Sequence, residues 1–241
     1  MTRPPAHSEE RVAIVTGASQ GIGAGIARAY RELGYGVIAT ARSIEPSADS
    51  GMVAVPGDIA DPDTAQRIVG EAVKRFGRID TLINNAGIYI GKPFTDYTIE
   101  DFNAVIAVNL AGFFHITTRA IKHMLDRGAG HIVNVSTTLV EHAESTTPAA
   151  LQTLTKGGLV AATRSLAIEY ASRGLRVNAV SLGVIKTPQH DESSYAGMGA
   201  LHPLGRVGEI EDVVGGVLYL ESAPFVTGEV LHIDGGQSAG H

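Results

Sequence analysis

Short runs of β-branched and aliphatic residues alternate along this chain with longer stretches in which apolar positions recur every three or four residues. That alternation predicts a parallel sheet covered by helices on both faces. Arg11–Thr16, apolar from Val12 to Val15, reads as a first buried strand, and a helical stretch from Gly21 to about Leu33 follows it and stops at Gly34. Tyr35–Thr40 and Gly51–Val55 read as the second and third strands. Pro62 behind Asp61 suits the first position of a helix that runs to about Phe76. Asp80–Asn84 is the fourth strand. A long helical region then covers roughly Thr98 to Asp126, with Ile99, Phe102, Val105, Ile106 and Asn109 at helical spacing. His131–Ser136 and Leu175–Ser181 are strands five and six, with a helix between them. After an irregular segment, 187–205, a helix near Ile210–Leu220 leads to a last strand, Glu229–Ile233. With no linker-like stretch and no internal repeat, residues 1–241 are expected to form a single doubly wound α/β domain of about seven parallel strands.

Composition narrows the partners. At 241 residues the chain can bury a sizeable core, and a net charge of −6 argues against nucleic acid or an anionic membrane. There is no cysteine, which excludes disulfides and thiolate chemistry and fits a reducing compartment. The first ten residues carry no apolar signal-like stretch, and no run approaches the roughly 18 apolar residues of a membrane span. A cytoplasmic location is expected.

The most specific local feature is Thr16-Gly17-Ala18-Ser19-Gln20-Gly21-Ile22-Gly23, set between the first strand and the first helix. Three glycines let the backbone turn sharply and approach a phosphate closely, and the following helix offers unpaired N–H groups to it. Further along stand Gly57-Asp58-Ile59, Asn84-Asn85-Ala86-Gly87, Asn109, Ser136, Lys156-Gly157-Gly158-Leu159, Thr187-Pro188 and Asp234-Gly235-Gly236. In this order and spacing the set resembles the short-chain dehydrogenase/reductase (SDR) family over nearly the whole chain.

The resemblance implies a Rossmann-type domain that binds a nicotinamide dinucleotide and moves a hydride between it and a carbonyl or alcohol carbon. Gly17, Ser19, Gln20, Gly21, Ile22 and Gly23 would face the pyrophosphate and Asp58 and Ile59 the adenine. Asn85, Ala86 and Gly87 would also contact the cofactor. Gly183, Val184, Ile185 and Thr187 would border the nicotinamide. Ser136 would orient the substrate oxygen, Lys156 would hold the nicotinamide ribose, and Asn109 would support the lysine. The second strand ends in Ala39-Thr40-Ala41-Arg42-Ser43, with an arginine and no carboxylate. A guanidinium there suits a 2′-phosphate, so NADP(H) is the expected cofactor and NAD(H) the alternative. No metal is expected.

Two positions depart from the family pattern. The family's catalytic tyrosine lies four residues before the lysine, on the same helix face, and here that position is Gln152. A carboxamide donates hydrogen bonds but does not release its proton at neutral pH, and losing a positioned general acid costs about 10²–10⁴ in rate. Leu182 stands before Gly183 where relatives usually carry proline. Three readings follow: an oxidoreductase drawing its proton from another group, a catalytically silent dinucleotide sensor, or a structural subunit of a mixed SDR oligomer. Other acids could be Glu141, His142, Glu144, Tyr89 or Tyr195.

Residues 187–205, with His190, Asp191, Glu192, Tyr195, Met198 and His202, fall where the family carries its substrate lid. The histidines there are expected to be solvated or to face substrate. The helices near Phe102–Met124 and Leu159–Tyr170 resemble the family's dimer-forming pair, with Phe113, Phe114, Ile116 and Leu166 either interfacial or core. The resemblance implies a homotetramer, with a dimer as the alternative, acting on a small carbonyl or alcohol substrate.

Overall fold

The structure, a computed structural model, describes residues 10–188 and 195–240. The lid residues His190, Asp191 and Glu192 lie outside them. Seven strands are present: β1 (Val12–Thr16), β2 (Gly36–Ala41), β3 (Met52–Pro56), β4 (Thr81–Asn84), β5 (Gly130–Thr137), β6 (Leu175–Leu182) and β7 (Val230–Ile233). All pair in parallel, in the order β3-β2-β1-β4-β5-β6-β7. The helices are α1 (Gly21–Glu32), α2 (Pro62–Phe76), α3 (Ile99–Ile106), α4 (Gly112–Arg127), α5 (Ala150–Tyr170), α6 (Tyr195–Gly199) and α7 (Ile210–Ser222).

Side chains alternate across the central strands, so each strand feeds two cores. On one face Val12, Ile14, Leu82, Ile132 and Val177 pack with Ile68 of α2, Ile116 of α4 and Ala167 of α5. On the other, Ala13, Val15, Ile83, Val133 and Val180 pack with Ile26 of α1 and Val217 of α7. This is why the central strands read as unbroken apolar runs. Ile116 is therefore core, whereas Phe114 is exposed and Phe113 and Leu166 are half-buried.

Local signals set the helix ends. The Asp61 side chain accepts from the Asp63 N–H, Pro62 occupies the first turn, and Gly77 closes α2 with φ +75°. Thr98 and Asp101 form a reciprocal capping box at the start of α3. The expected single helix from Thr98 to Asp126 is interrupted by a π turn, Ala107–Ala111, between α3 and α4. Taken together, Ile99–Arg127 is long and apolar enough to cross a membrane, contrary to the expectation that no stretch would be. Its buried positions instead pack into the sheet, and α4 lies against α2. Among the described residues, the 187–205 segment contains one short helix, α6.

A buried polar network closes the amino-terminal end of the sheet, away from the glycine turn. The Glu221 carboxylate accepts from the hydroxyls of Tyr30 (3.0 Å), Tyr35 (3.0 Å) and Thr81 (3.1 Å) and lies 2.8 Å from His131 Nδ1. Asn178 accepts the Glu229 N–H on its oxygen, so its nitrogen faces His131 Nε2 at 3.2 Å. His131 is thereby fixed as the neutral tautomer that donates from Nδ1, in keeping with burial holding its pKa down.

Candidate active site

β1 and β4 are neighbours, but the chain leaves them in opposite directions, towards β2 and β5. A crevice opens at the carboxyl ends of strands where the winding reverses in this way. The glycine turn forms one wall. Gly17 and Gly21 have φ of +67° and +58°, which only glycine adopts freely. A Cβ on Gly23 would stand 2.2 Å from the Gly17 carbonyl oxygen and 2.6 Å from Asn85 Nδ2, so no side chain is tolerated there. No side chain caps the start of α1, and no acidic residue lies in its first turn. Its first N–H groups remain available to an anion, and a dinucleotide pyrophosphate fits this cradle.

Thr16 and Asn85 join the turn to β4. The Thr16 hydroxyl accepts from the Asn85 and Ala86 N–H groups (3.0 Å each) and donates to the Ile83 carbonyl (3.2 Å). Asn85 Nδ2 donates to the carbonyls of Thr16 (2.9 Å) and Gly17 (3.2 Å). Asn85 thus supports the turn from beneath. Thr187 sits 3.6 Å from where a Gly21 Cβ would be, so the segment after β6 reaches back to the turn.

The other wall is built by the π turn and α5. Asn109 is buried inside the π turn, whose wider spacing accommodates one residue out of helical step. Its Oδ1 accepts the Ile88 N–H (2.9 Å), and its Nδ2 donates to the Ile88 carbonyl (3.1 Å), the Thr155 hydroxyl (3.2 Å) and Gln152 Oε1 (3.3 Å). The backbone of Ile88 therefore fixes which way the Asn109 amide points, and Asn109 in turn fixes Gln152. The carboxamide nitrogen of half-buried Gln152 makes no hydrogen bond among the described residues and is left as a donor.

Lys156 is buried, and its ammonium donates to the Val135 carbonyl at 2.7 Å. A Cβ on Gly87 would lie 3.2 Å from Lys156 Nζ and 3.3 Å from Asn109 Oδ1, so the three residues adjoin. Burial lowers its pKa from 10.5 to about 8, with no counter-charge acting on the ammonium among the described residues. Ser136 is buried at the end of β5, with its Oγ 3.5 Å from the Lys156 carbonyl. A ladder of buried amides and hydroxyls lies beneath. Asn84 donates to Thr117 (3.0 Å) and Asn134 (2.9 Å), and Asn134 to Thr163 (2.8 Å), which ties α4 and α5 to the sheet.

Other sequence-predicted residues divide. Ser19, Gln20, Arg42, Ser43 and Asp58 are exposed around the turn and the end of β2, and Arg42 has no ion pair among the described residues. Asp58 accepts the Ala60 N–H at 3.0 Å. The side chains of Ile59 and Ile185 are buried in the cores, Ile59 against Gly112, so each would meet a ligand through its backbone. Leu182 is also core and completes β6 between Thr137 and Ile233. Gly183 and Val184 are half-buried. His202 is a correction, being buried rather than solvated. Its Nε2 accepts the Val184 N–H (3.0 Å) and its Nδ1 faces the Met198 carbonyl (3.1 Å), which anchors α6 to the end of β6.

Four of the five alternative acids have partners. His142 lies 3.4 Å from Glu144, Glu141 pairs with His232, and the Tyr195 hydroxyl donates to the Thr187 carbonyl at 2.9 Å. Tyr89 is half exposed, and burial of its ring raises its pKa. Sequence reasoning missed Thr16, Thr155 and His202 as positioning residues. Thr16 opens the glycine motif and could have been marked; the other two act through partners distant in sequence.

Relatives of this chain carry the same architecture. The family model described as enoyl-(acyl carrier protein) reductase matches residues 17–238. The chain is 36% identical to 3beta-hydroxysteroid dehydrogenase 1 of Eggerthella lenta, over 95% of this chain and 94% of that one. It is also 36% identical to the 3-oxoacyl-[acyl-carrier-protein] reductase FabG of Thermotoga maritima, over 95% and 98%. The solved structure of ElxO with NADP bound superposes with a TM-score of 0.89 at 30% identity, covering 96% of this chain and all of that one. An all-parallel sheet with a glycine turn at its reversal point is a Rossmann-type fold. Within that class, the chain belongs to the short-chain dehydrogenase/reductase family, whose members are oxidoreductases.

Proposed function

We propose that this protein is an NADP(H)-dependent oxidoreductase acting on a carbonyl/alcohol pair of a small molecule, with an active site that works without a tyrosine. The observation that carries this reading is the buried Lys156 ammonium beside Asn109 and Gly87, across the crevice from an uncapped phosphate turn. When bound, the reduced dinucleotide supplies the hydride that the substrate carbon receives. The turn at Gly17–Gly23 holds the pyrophosphate, and Lys156 holds the nicotinamide ribose. Ser136 and the Gln152 carboxamide nitrogen donate hydrogen bonds to the substrate oxygen, favouring the charge that develops there. Asn109 keeps Gln152 and the Ile88 backbone in place. Residues 187–205 act as the substrate lid.

Arg42 supports the choice of NADP(H), since an exposed guanidinium with no ion pair among the described residues suits a 2′-phosphate. The relatives leave room for either cofactor, because structures with NADP and with NADH superpose equally well. The test is steady-state reduction of a panel of aldehydes and ketones with each cofactor, in the parent and in Arg42→Ala. We expect NADPH to support turnover in the parent. We expect Arg42→Ala to raise the KM for NADPH by about 10–100-fold while leaving that for NADH within about threefold. Equal loss for both cofactors would contradict the role of Arg42. Absence of turnover with both would favour a silent sensor or a structural subunit. Exposed Phe102, Phe114, Leu154 and Ile168 on α3 to α5 support a homotetrameric assembly. The cysteine-free sequence supports a cytoplasmic one.

A further inference from the structure

Replacing tyrosine by Gln152 removes more than an acid. A phenol beside the lysine would, on ionising, have given the buried ammonium a counter-charge. Here, among the described residues, Lys156 Nζ has only the neutral Val135 carbonyl as a hydrogen-bond partner. No charged group of β5, the π turn, the Asn85–Ile88 loop or α5 acts on it; desolvation is the one influence among the described residues. An ammonium carries three N–H donors, and Val135 takes one. Gly87, exposed at the crevice, has no side chain to cover Nζ, where a Cβ would come within 3.2 Å. Of the other candidate acids, Tyr89 is half exposed and burial of its ring raises its pKa, and the remaining ones, like His202, have partners. His202 uses both ring nitrogens, His142 faces Glu144, Glu141 faces His232, and the Tyr195 hydroxyl is given to Thr187.

Resting on the oxidoreductase reading above, we propose that Lys156 is the proton donor of this site, passing an Nζ proton through the opening at Gly87 to the oxygen of the substrate carbonyl. The balance is complete. The carbonyl carbon gains the hydride supplied by the nicotinamide dinucleotide, which is thereby oxidised, and the C=O π electrons move to oxygen. An Nζ–H bond breaks as the O–H bond forms, and the resulting neutral amine regains a proton from water. A group that titrates at about 8 is well matched to this task near neutral pH, whereas an ordinary lysine at 10.5 is a much weaker acid.

Two measurements test this, one of them independent of activity. Thermal stability of the parent and of Lys156→Met is followed between pH 7 and pH 10.5. A lysine whose folded pKa is depressed costs stability at low pH, and that cost is relieved as pH rises through the interval from about 8 to 10.5. The parent should therefore gain about 6–10 °C in Tm relative to Lys156→Met across that range. A pH-independent difference would overturn the proposal. The second measurement is NADPH-dependent reduction of ethyl acetoacetate from pH 6 to 10, with NADPH binding titrated in parallel. Parent turnover should fall above about pH 8. Lys156→Arg should bind NADPH within about tenfold of the parent yet lose at least about 100-fold in kcat, because a guanidinium does not release its proton. Turnover retained in Lys156→Arg, or NADPH binding without reduction in the parent, would overturn the proton role and leave the dinucleotide reading standing. Failure of the parent to bind NADPH would instead remove that reading, and this one with it.

Discussion

Gly23 carries a constraint that can be stated in ångströms. A methyl group there would overlap the Gly17 carbonyl at 2.2 Å, and because that contact is with backbone, the whole turn must open to relieve it. Gly23→Ala is accordingly expected to weaken NADPH binding by at least about 100-fold, equivalent to about 2.7 kcal/mol, measured by calorimetric titration. Unchanged affinity would mean that the turn does not hold the phosphates. At this scale the glycine turn was legible from residue type and spacing, while Asn109, Ser136 and Lys156 were singled out by their resemblance to the family's residues. The orientation of Gln152 was not, since it is inherited from Asn109 and, through it, from the N–H and carbonyl of Ile88. The depressed lysine was hidden for a similar reason. Its burial depends on the loop after β4 and on β5 closing over α5, neither of which is encoded near residue 156.

Elements were read best where local chemistry terminates them. Asp61 and Pro62 open α2 where expected, and the helix ends at Phe76 as read, closed by Gly77. The π turn was not legible, because Asn109 stands at helical spacing with Phe102, Val105 and Ile106 and nothing in Ala107–Ala111 signals a break. The network on Glu221 was equally hidden, drawing single residues from α1, the turn after it, β4, β5 and α7. Burial opposes ionisation of Glu221, but hydrogen bonds from His131, Tyr30 and Tyr35 outweigh it and hold the carboxyl below its usual range. A depressed carboxyl contributes stability that is fully present above its unfolded value near 4.5 and is lost as pH falls below it. Glu221→Gln should therefore lose about 2–3 kcal/mol at pH 7 by urea denaturation, with the deficit shrinking below pH 4.5. A deficit that persisted unchanged at pH 3 would show that charge plays no part in it.

For the whole molecule, the doubly wound sheet was readable from strand and helix alternation, because strands that feed cores on both faces cannot hide their apolar runs. Assembly was less readable, since apolar residues on α3 to α5 serve core and surface alike: Ile116 is buried, whereas Phe114 is 62% exposed. If that exposed face is an interface between copies, Phe114→Glu should lower the molar mass by light scattering at least twofold while leaving the circular dichroism unchanged. An unaltered oligomer would place the interface elsewhere. The central claim, however, is that the crevice between β1 and β4 is a nicotinamide dinucleotide site tuned to the 2′-phosphate. Calorimetric titration of the parent protein with NADPH and, separately, NADH tests it most directly. One NADPH per chain, bound at least about tenfold more tightly than NADH, is the predicted result. Absence of heat from either nucleotide would contradict the account, leaving the glycine turn as architecture alone.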